Sequence, residues 1–423
     1  MLNVGFSIVL MLVAFAVTTL CYPYVLSFAR RHNIVDNPDA RKLQRVPVPV
    51  MGGTTVFIGF LVSVALCYCV APQPRMLIAV LLLAVLYLVG VWDDVRDVSP
   101  TLRFLVELLV VWMMILLLKL EINDFHGLWG IGKIPDTVSV PLSLIAGVGI
   151  INAVNMIDGV DGYCSTFGIM ACAVFAVVFY HAGDMAMFAF ALITIGALIP
   201  FFFHNVFGKT SKMFLGDGGS LLLGAILVLF VFSVLSSNSM CAEAYRGSGF
   251  SLPALTLAVL AIPVFDTLKV MAIRIVKGYS PFRPDKTHLH HLFIEMDFTH
   301  LATSGIIVLT NAAIVEVLFL VWWLGAGIDL QTYIVIVLGL LATWGFYFFM
   351  EWHHRQNDGE GSALFKRWYN GGKIASFTSS RVWQFLRGVV DSRFLGGRAP
   401  AAGAGTPAVS PVVPPERPDP RIE

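Results

Sequence analysis

The stretch Ile151–Gly162, INAVNMIDGVDG, sets Asn152, Asn155, Asp158 and Asp161 three residues apart at each step. That spacing puts successive side chains near one face of a helix, so two amides and then two carboxylates are aimed at one spot. Gly159 and Gly162 let the backbone bend or approach a ligand where such a helix should stop. Leaving polar groups of this kind unpaired in an apolar setting costs about 2–7 kcal/mol each, which makes a polar ladder at membrane depth a candidate functional site. A helix end capped by Asn and Asp is the plainer reading.

Three other clusters have related chemistry. VWDDVRDVSP places Asp93, Asp94 and Asp97 directly after an apolar run. Crowded carboxylates raise one another's pKa unless a cation separates them. The trio therefore suits a Mg²⁺ site or a general base, with a helix cap as the alternative. HNVFGKTSKMFLGDGGS carries Asp217 in GDGGS, with Lys209 and Lys212 nearby and Phe214 able to stack on a base. Its Gly-Gly-Ser offers backbone N–H groups to a phosphate. VKGYSPFRPDKTHLHHLF brings Lys277, Arg283, Lys286, His288, His290 and His291. A spacing of two does not gather metal ligands on a helix, so diphosphate contact is favoured over zinc. Upstream, Asp266 and Lys269 lie at i and i+3 as an intramembrane ion pair. Arg41 and Lys42, in DNPDARKLQRVPVPVMGG, are phosphate contacts or ordinary flanking charge. Acids for a divalent cation and bases for phosphate together describe a site for a diphosphate and its Mg²⁺, with Mn²⁺ as a substitute.

Long apolar helices must position these clusters. The 423 residues are 57% hydrophobic and only 13% charged, with a mean hydropathy of +0.80. Globular domains carry about 25% charged residues, so this is an all-α, polytopic membrane chain. Spans are predicted at about 4–28, 50–71, 76–92, 102–120, 138–154, 164–181, 184–203, 218–236, 252–274, 303–325 and 331–350, roughly eleven in all. The first lacks a basic n-region and is read as a retained span. Six cysteines without a CxxC pattern give neither disulfides nor zinc. Lys and Arg crowd one set of connections, whereas the other carries only Arg75, Lys119, Lys133 and Arg246. The positive-inside rule then puts the N-terminus outside, the C-terminus inside and all four clusters on the cytoplasmic face. Residues 1–350 form the catalytic unit on this reading. Residues 351–395 are a basic tail, in which about 362–394 form either one or two amphipathic helices on the inner leaflet or a plain basic segment, and 396–423, rich in Ala, Gly and Pro, are disordered. No basic run suggests nucleic acid.

DDVRD, NAVNMIDGVDG, FLGDGGS and SPFRPDKTHLHH, in this order and on one side, resemble the polyprenyl-phosphate N-acetylhexosamine-1-phosphate transferases over about residues 5–350. That family includes undecaprenyl-phosphate GlcNAc-1-phosphate transferases and MurNAc-pentapeptide translocases. The His-x-His-His form preceded by Arg-Pro is similar to the GlcNAc branch; the pentapeptide branch has a triple His. The resemblance implies attack of undecaprenyl phosphate on the β-phosphorus of a UDP-sugar, with release of UMP, in a bacterial inner membrane. It implies Mg²⁺ on Asn155 and Asp217, and a lipid phosphate oriented or deprotonated by Asp93 and Asp94. Asp158, Asp161, Asn205 and Phe214 would line the nucleotide pocket, while Arg283, His288, His290 and His291 would face diphosphate and sugar. Arg41 and Lys42 match the family's Arg-Lys-x-His, but Gln44 stands at its His position. A homodimer is an open possibility.

Other classes fit less well. A CDP-alcohol phosphotransferase pattern is absent, an aspartate-rich prenyltransferase would not need GDGGS or the His segment, and a transporter should hold its ion sites near mid-membrane. Because no motif lies in the Ala/Gly/Pro-rich end, truncation after Gly396 should leave the turnover rate of the purified enzyme unchanged. A large loss of rate at equal membrane abundance would show that this end completes the site.

Overall fold

The computed structural model describes residues 2–37, 46–281, 287–296, 298–356, 380–392 and 394. Within them the chain is a polytopic helical membrane protein. Ten helices are long and apolar enough to cross a bilayer, or eleven when one bent pair counts as a span. They are α1 (Val4–Arg31), α2 (Gly52–Val70), α3 (Pro74–Val95), α4 (Pro100–Met113, continued to Leu118 by a wider turn), α5 (Asp136–Met156), α6 (Tyr163–Ala182), α7 (Met185–Phe207) and α8 (Gly216–Leu235). After the short α9 (Met240–Ala244) come the bent pair α10 (Leu252–Val259) and α11 (Ala261–Val276), then a short α12 (Leu289–Glu295). The spans end with α13 (His300–Trp323), α14 (Ile328–Leu340) and α15 (Phe346–Gln356), the last two joined through a wider turn. Each predicted span has its counterpart.

The core is α8, whose apolar run is buried on every side against α2, α3, α5 and α6. A helix apolar all round can be a core helix only if its neighbours come close, and small residues allow that. Gly90 of α3 shows how tight this is: a Cβ there would lie 2.5 Å from the carbonyl carbon of Asp217. The last turn of α3 therefore lies directly on the first turn of α8.

Backbone groups freed in a bilayer must find partners inside the protein. The 71° bend between α10 and α11 meets this condition through one side chain. The Asn311 carbonyl accepts from the N–H of Ile262 at 2.9 Å, and its amide donates to the carbonyls of Ala258 and Val259 at 3.2 and 2.9 Å. On the face where α1, α3, α5 and α7 end, a two-stranded antiparallel ribbon pairs β1 (Val35–Asp36) with β2 (Val48–Pro49). Phe214 extends it, donating to the Pro49 carbonyl and accepting from Gly52 N–H, both at 2.8 Å. The first loop and the GDGGS loop are thus stitched together by backbone.

Part of the tail is ordered on that same face. Helix α16 (Arg381–Asp391) starts at a Ser380 cap, buries Trp383 and Asp391, and turns Val382, Phe385 and Val389 outward. This helix is the part of the expected amphipathic tail that is described; residues 357–379 and 395–423 lie outside the described residues.

Overpacking a close backbone contact costs about 1–3 kcal/mol. Gly90→Ala should lower the apparent melting temperature of the detergent-purified protein by several degrees. Gly149→Ala, where a Cβ meets nothing within 4 Å, should leave it unchanged or raise it slightly. Equal melting of the two variants would show that the α3–α8 approach is not tight.

Candidate active site

Helix α5 ends at Met156, one turn earlier than an unbroken ladder requires. Asn152 and Asn155 sit on its last turns, while Asp158 and Asp161 fall in the following turn, which Gly162 closes at φ +79°. The ladder therefore fans out into separate jobs. Asn155 donates to Asp217 Oδ1 at 2.5 Å and to Ser220 Oγ at 2.8 Å. Asn152 turns away and donates to the Glu107 carboxylate and the Val148 carbonyl.

Asp94 occupies the N-terminus of α8. Its carboxylate accepts from the N–H groups of Asp217 at 2.8 Å and Gly218 at 3.0 Å, where the helix dipole favours negative charge. Of the Gly-Gly-Ser N–H groups expected to be offered to a phosphate, that of Gly218 is thus already engaged by the protein. Gly216 makes this possible: it has φ +77°, and a Cβ there would be 2.6 Å from Asp94 Oδ2. Asp93 accepts from Val98 N–H at 2.9 Å and lies 3.4 Å from Arg103 Nη1. Asp97 is exposed in the turn after α3, and among the described residues no hydrogen bond or ion pair joins it to the other acids.

Arg103 sits at the centre. Its Nη1 is 3.6 Å from Asp217 Oδ1 as well as near Asp93, and its Nε donates to Glu107 at 3.1 Å. Glu107 is 1% exposed. Sequence reading missed both as site residues. The available signal was an Arg and a Glu at i and i+4 inside an otherwise apolar segment.

Asp158 is half-buried beside this group. Burial pushes its carboxyl well above the usual range, and Asp217 and Asp94 push it further, against a hydrogen bond from the Gly216 backbone. Asp161 behaves in the opposite way. Burial would raise its pKa, but His300 and Lys212 hold it below the ordinary value. Lys212 Nζ is 2.6 Å and His300 Nδ1 3.1 Å from Asp161 Oδ2. Lys212 also lies over the half-buried Phe214 ring, 5.6 Å from its centroid.

Asn205 departs from the expectation of a pocket-lining residue. It is 4% exposed, its carbonyl accepts from Gly162 N–H at 2.6 Å, and its amide donates to the Met213 carbonyl at 3.0 Å. Both ends are spent in tying the Asp158–Asp161 turn to the GDGGS loop.

The histidine segment packs on that turn. The Asp266–Lys269 ion pair is present at 2.7 Å with the Lys269 side chain fully buried, and Asp266 also holds His288 Nδ1 at 2.9 Å and Leu289 N–H at 3.0 Å. His290 is 2% exposed. Burial and the neighbouring His291 and His288 push its pKa well below the usual histidine value, so the ring is neutral. A Cβ on Gly159 would come 2.9 Å from His290 Nε2, so only glycine lets the ring lie against the turn. His291 adjoins it, with ring centroids 4.3 Å apart. Arg41, Lys42 and Arg283 lie outside the described residues.

No group of three or more His, Cys, Asp and Glu forms a ready metal cage among the described residues. The donor set nevertheless suits a hard cation. Asp93, Glu107 and Asp217 share Arg103 as their charge partner, Asp94 and Asp158 add carboxylates beside them, and excess carboxylate oxygen is the ligand type Mg²⁺ takes.

Residues 76–235, which carry all of these acids, match the model of glycosyl transferase family 4. The chain is also 27% identical over 307 residues to an undecaprenyl-phosphate alpha-N-acetylglucosaminyl 1-phosphate transferase of Escherichia coli K12, covering 72% of this chain and 80% of the relative. A relative of the same name from Salmonella typhi is 29% identical, covering 71% and 79%. A probable undecaprenyl-phosphate N-acetylglucosaminyl 1-phosphate transferase of Bacillus subtilis is 28% identical, covering 69% and 78%. The family 4 segment runs from α3 through α8 and stops before the histidines.

The raised pKa of Asp158 has a consequence for stability. Between the unfolded value near 4 and its higher folded value, the folded chain binds more protons than the unfolded one, so stability falls as pH rises through that window. Asp158→Asn removes this penalty. It should raise the apparent melting temperature more at pH 8 than at pH 5, without added divalent cation. An equal shift at both pH values would mean that Asp158 is ionised throughout.

Proposed function

We propose that the chain transfers a sugar 1-phosphate from a UDP-sugar to undecaprenyl phosphate, releasing UMP and starting a lipid-linked envelope glycan. The observation that carries this reading is the meeting of three sequence-remote acidic motifs at one end of the α3–α5–α8 core, with a neutral His290 packed on the turn between them. The names of the relatives supply the acceptor and favour GlcNAc or a close N-acetylhexosamine in the donor. The Lys/Arg bias supports a cytoplasmic site with the N-terminus outside, in a bacterial inner membrane.

One phosphoanhydride would form as another breaks, so no ATP is required. A phosphate monoester loses its second proton near pH 6, so the acceptor is largely a dianion at neutral pH and a dedicated base has little to do. The larger barrier is the approach of two polyanions. Mg²⁺, held by Asp217 with Asn155 and Asp93 beside it, would supply charge neutralisation on the diphosphate. Arg103 would exchange carboxylate partners for phosphate oxygens, a task its planar fork suits. Asp94, committed to the α8 N-terminus, would keep Asp217 in place. Asp161 with Lys212 and Phe214 would form the nucleotide side.

The test is purified protein with Mg²⁺, undecaprenyl phosphate and a panel of UDP-sugars, following UMP. UMP release with UDP-GlcNAc or a close relative, dependent on lipid phosphate and abolished by chelation, is expected. Asp217→Asn should lower the rate by at least about 100-fold without loss of folding. Turnover of UDP-MurNAc-pentapeptide alone would move the chain to the other branch. Silence with every donor, beside a working control enzyme, would remove the transferase reading.

A further inference from the structure

At the C-terminal end of α7 the chain turns so that three successive backbone N–H groups, those of Lys209, Thr210 and Ser211, converge on one point. Such a concavity is an anion-binding nest. Here the anion is the chain's own: Asp391, the last residue of α16. Its Oδ2 accepts from Lys209 N–H at 3.0 Å and Thr210 N–H at 3.3 Å. Its Oδ1 accepts from Ser211 N–H at 3.0 Å and from the Ser211 hydroxyl at 2.7 Å. Asp391 is 5% exposed. Burial acts to raise its pKa, but these hydrogen bonds outweigh it and hold the carboxylate below its ordinary value.

The contact is built from both sides. Trp383 packs on Phe207 with ring centroids 4.8 Å apart, and Arg387 lies over the Trp383 ring. Phe394 sits edge-on to Tyr22 and His204, which stack on each other at 3.9 Å. Tyr22 donates to the Ser211 carbonyl at 2.8 Å. His204 Nδ1 is 3.1 Å from Ser211 Oγ. Since the Ser211 hydroxyl proton goes to Asp391, His204 Nδ1 is the donor in that pair.

The next residue in the chain is Lys212, whose ammonium holds Asp161. Two residues further, Phe214 is fixed in the backbone ribbon. The segment from Lys209 to Phe214 is thus pinned at its far end by the ribbon and at its near end by Asp391.

We propose that Asp391 is a positioning residue for the nucleotide side of the site: by filling the nest at Lys209–Ser211 it fixes the loop that presents Lys212 and Phe214. The proposal rests on the transferase reading above for what the loop receives, a UDP-sugar. It assigns α16 a part in donor binding, although α16 lies outside the segment matched by the family model.

The test uses the full chain in detergent with Asp391→Ala, Asp391→Asn and Ser211→Ala. One readout is amide hydrogen exchange at Lys209–Ser211, and the other is the split between donor KM and kcat at saturating undecaprenyl phosphate. Asp391→Ala should speed exchange at the three amides about tenfold and raise the KM for the UDP-sugar about fivefold, with kcat within about twofold of wild type. Asp391→Asn, which keeps one acceptor oxygen, and Ser211→Ala, which removes one of the four bonds, should shift both readouts the same way by less. Should Asp391→Ala fail to fold, those two carry the test. Faster exchange with an unchanged donor KM, or a loss confined to kcat, would overturn the positioning role. The exchange readout needs no turnover: if the wild-type chain releases no UMP the reading of the reaction falls, whereas unchanged exchange in Asp391→Ala sinks the anchor itself.

Discussion

The guanidinium of Arg103 touches Asp93, Glu107 and Asp217 at once, at distances of 3.1 to 3.6 Å. Taking several carboxylates out of water costs several kcal/mol per ion unless opposite charge and hydrogen bonds compensate. A single cation cannot neutralise this group. The remaining charge is met by other means: the α8 N-terminus for Asp94, an amide for Asp217, and for Asp158 a pKa raised by burial and the neighbouring acids. The packing of α3 on α8 follows from this requirement. Asp94 reaches the α8 N–H groups only because Gly90 and Gly216 remove the side chains that would hold the helices apart.

Much of the architecture was legible because long apolar runs are a strong signal in a chain with so little charge. All eleven predicted spans appear, one as the bent pair α10–α11. The intramembrane pair Asp266–Lys269 was legible for the same reason, since two charges one turn apart in an apolar stretch have few other outcomes. The meeting of the acidic motifs was read from their placement on one side of alternating helices, which topology alone dictates.

What sequence did not reveal are the contacts between distant segments. Spacing of three describes one helix, and it could not show that α5 stops at Met156 and sends Asn152 to Glu107 but Asn155 to Asp217. Nor could the Gly-Gly-Ser pattern show that its first N–H, on Gly218, already holds Asp94, because a helix cap supplied by another helix leaves no local trace. Asn205 and Asp391 are struts of the same kind, each satisfied by backbone far away in the chain. A lone Asp at the end of an amphipathic tail helix looks like surface charge until its partners are known.

Two carboxylate–lysine–histidine groups flank the acid cluster and differ in one physical respect. Asp266 with Lys269 and His288 is almost wholly buried, so breaking it would strand charge in a low dielectric, and it serves as a fixed post for the histidine segment. Asp161 with Lys212 and His300 keeps more solvent contact: the lysine side chain is 29% exposed and the histidine 35%. Water can take over part of the solvation there, so Lys212 can leave Asp161 for an incoming anion at far lower cost. The protein thus sets a rigid wall on one side of its excess negative charge and an exchangeable one on the other. The exchangeable wall is the one whose backbone needs outside support, and α16 provides it through Asp391.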